Sequence, residues 1–235
     1  MASSARPPAA GSGSETPDGE GVARLAASQL RRVRRIVDAA VALAEEGGFD
    51  GVRLRDLAEA SGVALGTLYK YFRSKEDILL FAVNEEAERL EMVIAGRPPS
   101  GGSAEERTTE FFARATRGFT RRPNFARAVL RAIASGDHKT AVKVAGFHLR
   151  IARMIVAAIR GERPGVGRAI AEPEGTEREQ EIVKILEHVW FSALVGWAGG
   201  LHSAKTVTDQ MRTTGPTCWA APPDPSSHEE RDERD

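Results

Sequence analysis

Between about residue 28 and residue 211, apolar side chains recur at intervals of three and four, and no convincing run of single alternation interrupts them. A 3.6-residue period gathers side chains on one face of a helix, whereas a half-buried strand needs a period of two. The chain is therefore expected to be all-α. The first helix is expected from about Ser28 to Glu46, with Val33, Ile36, Val37, Ala40, Val41 and Ala44 on one stripe and Gly47 and Gly48 ending it. Short helices follow over Leu54–Ala60 and Ala64–Phe72, with Ser61, Gly62 and Val63 turning between them. Ser74, with Asp77 three residues on, reads as the N-cap of a helix reaching about Ala95. GRPPSGGS (Gly96–Ser103) is a linker by composition. Further helices are expected near 105–119, 124–134, 137–159, 176–198 and 203–211, with 161–175 as a loop.

Residues 1–22 and 213–235 contain little to bury and are expected to be disordered tails. The intervening chain divides into 23–76 and 77–212. No stretch approaches the ~18 apolar residues of a membrane span, and Met1–Gly21 lacks the charged and apolar parts of a secretory signal, which points to the cytoplasm. One cysteine, Cys218, forms neither an intramolecular disulfide nor a multi-thiolate metal site. His138, His148, His188, His202 and His228 show no metal-ligand spacing, and neither a G-x-S-x-G elbow nor a phosphate-binding loop is present. No metal, no cofactor and no enzyme activity is expected.

The net charge is zero, but its distribution is uneven. Between Arg24 and Lys75 ten basic residues face six acidic ones, so positive charge gathers where a polyanion can use it. The same stretch meets the demands of a helix-turn-helix. Leu57, Ala58 and Val63 can pack inward with Leu65, Leu68 and Phe72, and Gly62 supplies the turn. The second helix then shows Ala64, Gly66, Thr67 and Lys70 outward, flanked by Tyr69 and Tyr71. Small residues at 64 and 66 allow close approach to a groove floor. Taken alone, the tyrosines also fit a half-buried aromatic pair and the arginines a solvated face.

GVRLRDLAEASGVALGTLYKYFRSKEDIL (Gly51–Leu79) resembles the signature of the tetracycline-repressor (TetR) family, in which G-T-L-Y-x-Y-F-x-S-K-E follows the turn. The resemblance implies an N-terminal three-helix helix-turn-helix DNA-binding domain over 23–76 and a C-terminal helical ligand-binding and dimerisation domain over 77–212. It makes Thr67, Tyr69, Lys70 and Tyr71 contacts of the recognition helix, Lys75 a phosphate ligand, and Arg53 and Arg55 further DNA contacts, Arg55 at a guanine edge. The family often has Ser or Thr where this chain has Arg53 and Ala64.

The helix from Thr176 is apolar on two faces, with Ile182, Ile185, Leu186, Val189, Trp190, Ala193 and Leu194 on one stripe and Phe191, Val195 and Ala198 on roughly the opposite side. Such a helix must be covered twice. The resemblance implies that a second copy covers Phe191, Val195 and Ala198; a helix wholly inside one subunit is the alternative. A two-fold homodimer reads a palindromic double-stranded operator. The resemblance further implies an apolar effector pocket among Phe111, Phe112, Phe125, Val129, Ile133, Phe147, Met154 and Trp190, suited to a steroid or acyl-CoA. RRPNFARAVLRAI (121–133) and VWFSALVGW (189–197) are similar to the bacterial repressors of steroid catabolism. The expected function is thus a sequence-specific transcriptional regulator, a repressor released by a small apolar molecule. The alternative is a ligand-binding module whose helix-turn-helix no longer binds DNA.

Overall fold

The computed structural model describes residues 19–135, 140–167 and 173–219. Among these residues the chain is all-α: α1 Gly19–Gly51, α2 Leu54–Ser61, α3 Leu65–Tyr71, α4 Lys75–Gly96, α5 Ala104–Thr120, α6 Pro123–Ala134, α7 Ala141–Arg160, α8 Glu177–Ala198 and α9 Ala204–Trp219. The expected tails over 1–18 and 220–235, the expected start of α7 at Asp137 and part of the 161–175 loop lie outside the described residues.

Two helix ends depart from the sequence expectation. α1 begins at Gly19, inside the stretch expected to be a tail, because Glu20, Ala23, Arg24 and Leu25 are strong helix formers that extend the pattern backward. Its other end breaks at Gly48, where φ is 62° and ψ −158°, a conformation that only glycine adopts without strain. α9 runs past the expected boundary at 212 to Trp219. Local propensity does not explain that continuation, since Gly215 and Pro216 both oppose it.

The caps follow simple chemistry. Ser74, Ser103 and Thr176 each accept a hydrogen bond from the backbone three residues on, and Glu179 closes a reciprocal box with Thr176. Pro123 occupies the first turn of α6, where its missing N–H costs nothing.

One continuous cluster of buried apolar side chains runs from Ile36 in α1 to Met211 in α9. α1 lies on α2, α4 and α6, while α4 continues onto α7 and thereby joins the two ends of the molecule. Polar ties reinforce the α4–α7 seam. Lys143 pairs with Asp77, and Asn84 donates to the Lys143 carbonyl at 3.2 Å. Farther along, Glu91 accepts from Arg153 Nε at 2.9 Å and from Arg150 at 2.9 Å. Glu91 and Arg153 are almost wholly buried, at 1% and 2% exposure.

Candidate nucleic-acid interface and ligand cavity

α2 and α3 are held at their angle by the turn after α2. Gly62 adopts φ 62°, its N–H reaches the Glu59 carbonyl, and the Val63 N–H reaches back to Ala58 at 3.0 Å. This pair of bonds satisfies the last carbonyls of α2 and requires a left-handed residue at 62. Leu57, Val63, Leu68 and Phe72 are buried beneath it, and Leu65 packs against them half-exposed.

The outer surface of α3 is then fixed. Ala64, Gly66 and Lys70 are exposed, Tyr69 is 52% exposed, and Thr67 is half-buried. Arg53, at the N-cap of α2, and Arg55 are exposed beside them. Two of the expected contacts sit differently. Tyr71 packs partly against the core. Lys75 turns inward: its Nζ donates to the Phe49 carbonyl at 3.0 Å and stands 3.9 Å from the centre of the Phe49 ring. Arg131 of α6 approaches the same ring at 4.4 Å and pairs with Asp50 at 2.8 Å. A phosphate must draw Lys75 from these partners or share it with them.

A cavity of about 690 Å³ opens between α4, α5, α6, α7 and α8. Of the residues expected to line a pocket, Phe125, Phe147 and Trp190 do so. Ile133 faces a smaller void behind them. Phe111, Phe112, Val129 and Met154 are instead buried in the packed core and line neither space. Apolar spacing identifies side chains turned away from water, and it does not separate a filled core from a cavity wall. The apolar walls come largely from α4, through Val83, Ala87, Leu90 and Val93.

The sequence reading missed the charge at this cavity. Arg89, Arg97, Arg114, Arg117, Arg121 and Arg122 line it, against only Glu86 and Glu110 as acids. Burial raises the Glu110 pKa, yet hydrogen bonds from Ser100 and Arg114 outweigh it and hold the carboxyl below its usual range. Glu110 therefore stays charged and neutralises Arg114, while Glu86 faces Arg89 and Arg122. Among the described residues, Arg97, Arg117 and Arg121 have no acidic partner. The signal was present in the sequence: Arg114, Arg117 and Arg121 lie at i, i+3 and i+7, on one face of α5 and its C-cap.

α8 presents Ile185 and Val195 to solvent at 47% and 48% exposure, with Phe191 and Ala198 half-buried on the neighbouring side. No cluster of three or more His, Cys, Asp or Glu suited to a metal occurs among the described residues.

Residues 36–82 match the family described as bacterial regulatory proteins, tetR family, and residues 101–216 match the tetracyclin repressor-like C-terminal domain. Over 187 residues the chain is 33% identical to the HTH-type transcriptional repressor KstR of Rhodococcus jostii, covering 80% of this chain and 82% of that protein. The chain belongs to the TetR family. A TetR transcriptional regulator from a Rhodococcus species has the same fold, with a TM-score of 0.70 at 22% identity over 82% of this chain and 98% of that one. FadR from Bacillus subtilis, solved with stearoyl-CoA, matches with a TM-score of 0.57 at 16% identity over 80% of this chain and 99% of that one. As a TetR-family member the chain is a DNA-binding transcriptional regulator, with α2 and α3 as its helix-turn-helix. Among the described residues, no helix is long and apolar enough to cross a membrane.

Proposed function

We propose that this protein is a cytoplasmic repressor that binds a palindromic operator as a homodimer and leaves it when an amphiphilic CoA thioester, of a fatty or a steroid acid, enters the cavity. The observation that carries this reading is the pairing of an apolar chamber of about 690 Å³ with arginines that have no acidic partner. An apolar wall takes an acyl chain or ring system, and guanidinium groups take phosphates bidentately. A neutral sterol or a sugar uses only one half of such a site. The R. jostii relative is named a repressor, and the B. subtilis FadR structure holds stearoyl-CoA, which agrees in chemical class.

On the DNA side, Thr67, Tyr69 and Lys70 face the groove, Tyr71 supports them, and Arg53, Arg55 and Lys75 hold phosphates or a base edge. Phe191, Val195 and Ala198, with Ile185, meet the second copy. The protein acts by binding alone, without catalysis. The test is fluorescence anisotropy with the DNA upstream of its own gene, in excess non-specific competitor. Saturable binding that a scrambled site abolishes, reversed by a long-chain or steroid CoA thioester but not by the free acid, is expected. Saturable binding that no CoA thioester reverses refutes the effector class. Absence of binding there and across a randomised duplex pool refutes the regulator.

A further inference from the structure

Beside the main cavity lies a void of about 20 Å³ between α5, α6, α7 and α8. Phe119, Phe147, Ile151 and Trp190 line both spaces, so the void adjoins the cavity across those side chains. Its remaining wall is apolar, with Leu194 and Phe191 among it, except for two groups: Glu187 and His148. Glu187 Oε1 is buried and has no hydrogen-bond partner. Its other oxygen stands 3.7 Å from His148 Nδ1, which does not satisfy the first. Among the described residues, the only other buried side-chain polar atom without a partner is Arg150 Nε, and the rest of that guanidinium is already paired with Glu88 and Glu91.

A carboxylate oxygen buried without a donor is costly to keep, and it is a strong acceptor for any donor small enough to reach it. A void of this size has room for one water or one hydroxyl group. The arginines at the cavity offer only donors, so the two groups of charges select different chemistry in one ligand: an anion at the arginines and a hydrogen-bond donor at Glu187.

We propose that Glu187 is a specificity-determining residue, accepting a hydrogen bond from an alcohol hydroxyl that the effector carries at the end remote from its anionic head. The effector is then a hydroxylated apolar acid bound as its CoA thioester, and Phe147 and Trp190 part to admit its far end. This assignment rests on the effector class proposed above.

The test compares two matched pairs of ligands: palmitoyl-CoA with its ω-hydroxy derivative, and the CoA thioester of cholanic acid with that of its hydroxylated counterpart, lithocholic acid. Affinity for the full-length protein is measured for each, alongside release of operator DNA. The wild type is expected to bind the hydroxylated member of at least one pair about tenfold more tightly. Glu187→Leu should bring that ratio close to one while leaving the unhydroxylated member bound within about twofold of wild type, which also shows the variant folded. Glu187→Gln, which keeps the helix surface polar, should lower the ratio as well and replaces the Leu variant if that one fails to fold. Equal affinities within both pairs, or a ratio unchanged by substitution at 187, overturn the assignment while release of DNA by either member leaves the effector class standing. Binding by neither pair overturns the effector class and this subsite with it.

Discussion

Removing the carboxylate of Glu91 breaks the most buried ion pair among the described residues of the α4–α7 seam. Glu91 is 1% exposed and takes hydrogen bonds from Arg153, itself 2% exposed, and from Arg150 at 17%. Glu91→Leu preserves the side chain's approximate volume but leaves the Arg153 guanidinium in the interior without its carboxylate. Breaking one side of a buried ion pair costs about 3–5 kcal/mol, most of it the desolvation of the charge left behind. For a protein of this length a kcal/mol moves the melting point by about 2–4 °C, so the midpoint should fall by roughly 6–20 °C. The assay is circular dichroism on heating, at one protein concentration and pH, because association also moves the midpoint. A single-variant loss under about 1 kcal/mol refutes the claim that the buried pair sets the cost.

Tyr69→Ala should weaken operator binding by about 1–3 kcal/mol with an unchanged melting point, because Tyr69 stands 52% exposed on α3; anisotropy titration and a melt decide it together. Lys75→Ala should weaken binding to all duplexes alike and reduce the salt dependence by about one counterion per subunit, measured as the slope of log affinity against log salt. Glu179 is held at a pKa of about 2, from the usual 4.5, chiefly by the hydrogen bonds from Arg160. A depressed carboxylate stabilises the fold above its unfolded value and loses that contribution as pH falls, so between about 4.5 and 2 wild-type stability should drop with acid and Glu179→Gln should show less of that drop in pH-resolved melts. Val195→Glu places a charge on the 48% exposed face of α8 and should yield a folded monomer by sedimentation that has lost operator binding.

The helix-turn-helix was legible because its determinants are local. Gly62 must be left-handed, Leu57, Leu68 and Phe72 must face inward, and what remains of α3 must face out. Contacts between residues far apart in sequence were not. Nothing near Lys75 announces that its amine reaches the carbonyl of Phe49, 26 residues back, nor near Glu91 that its partner Arg153 lies 62 residues on. The cavity fell between these cases. Its apolar wall shares a pattern with the core, so Phe111 and Phe112 looked as much like lining as Phe125 and Phe147. Its arginines were visible at helical spacing, but an arginine face on a helix ordinarily means solvent, and only the fold brings Arg97 and Arg89 from α4 to join them.

The distribution of strong and weak contacts limits how an occupied cavity can act on the DNA end. α4 supplies Val83, Ala87, Leu90 and Val93 to the wall and starts at Lys75, immediately beyond α3 and its C-cap. It is also pinned to α7 through Asp77–Lys143 and Glu91–Arg153. A ligand shifts a conformational equilibrium only by its difference in affinity for the two states, and reversing a 99:1 preference takes about 5.5 kcal/mol. Breaking the buried Glu91–Arg153 pair on the way would consume about 3–5 kcal/mol of that. The cheaper motion keeps α4 and α7 together as one body and yields where the pairs are exposed. Those are Arg122–Glu86, at 46% and 32% exposure, beside the cavity, and Arg131–Asp50, at 59% and 75%, where α6 meets the end of α1. Arg131 shares the Phe49 ring with Lys75, so displacement at that joint reaches the proposed phosphate contact directly, without any change inside α2 or α3.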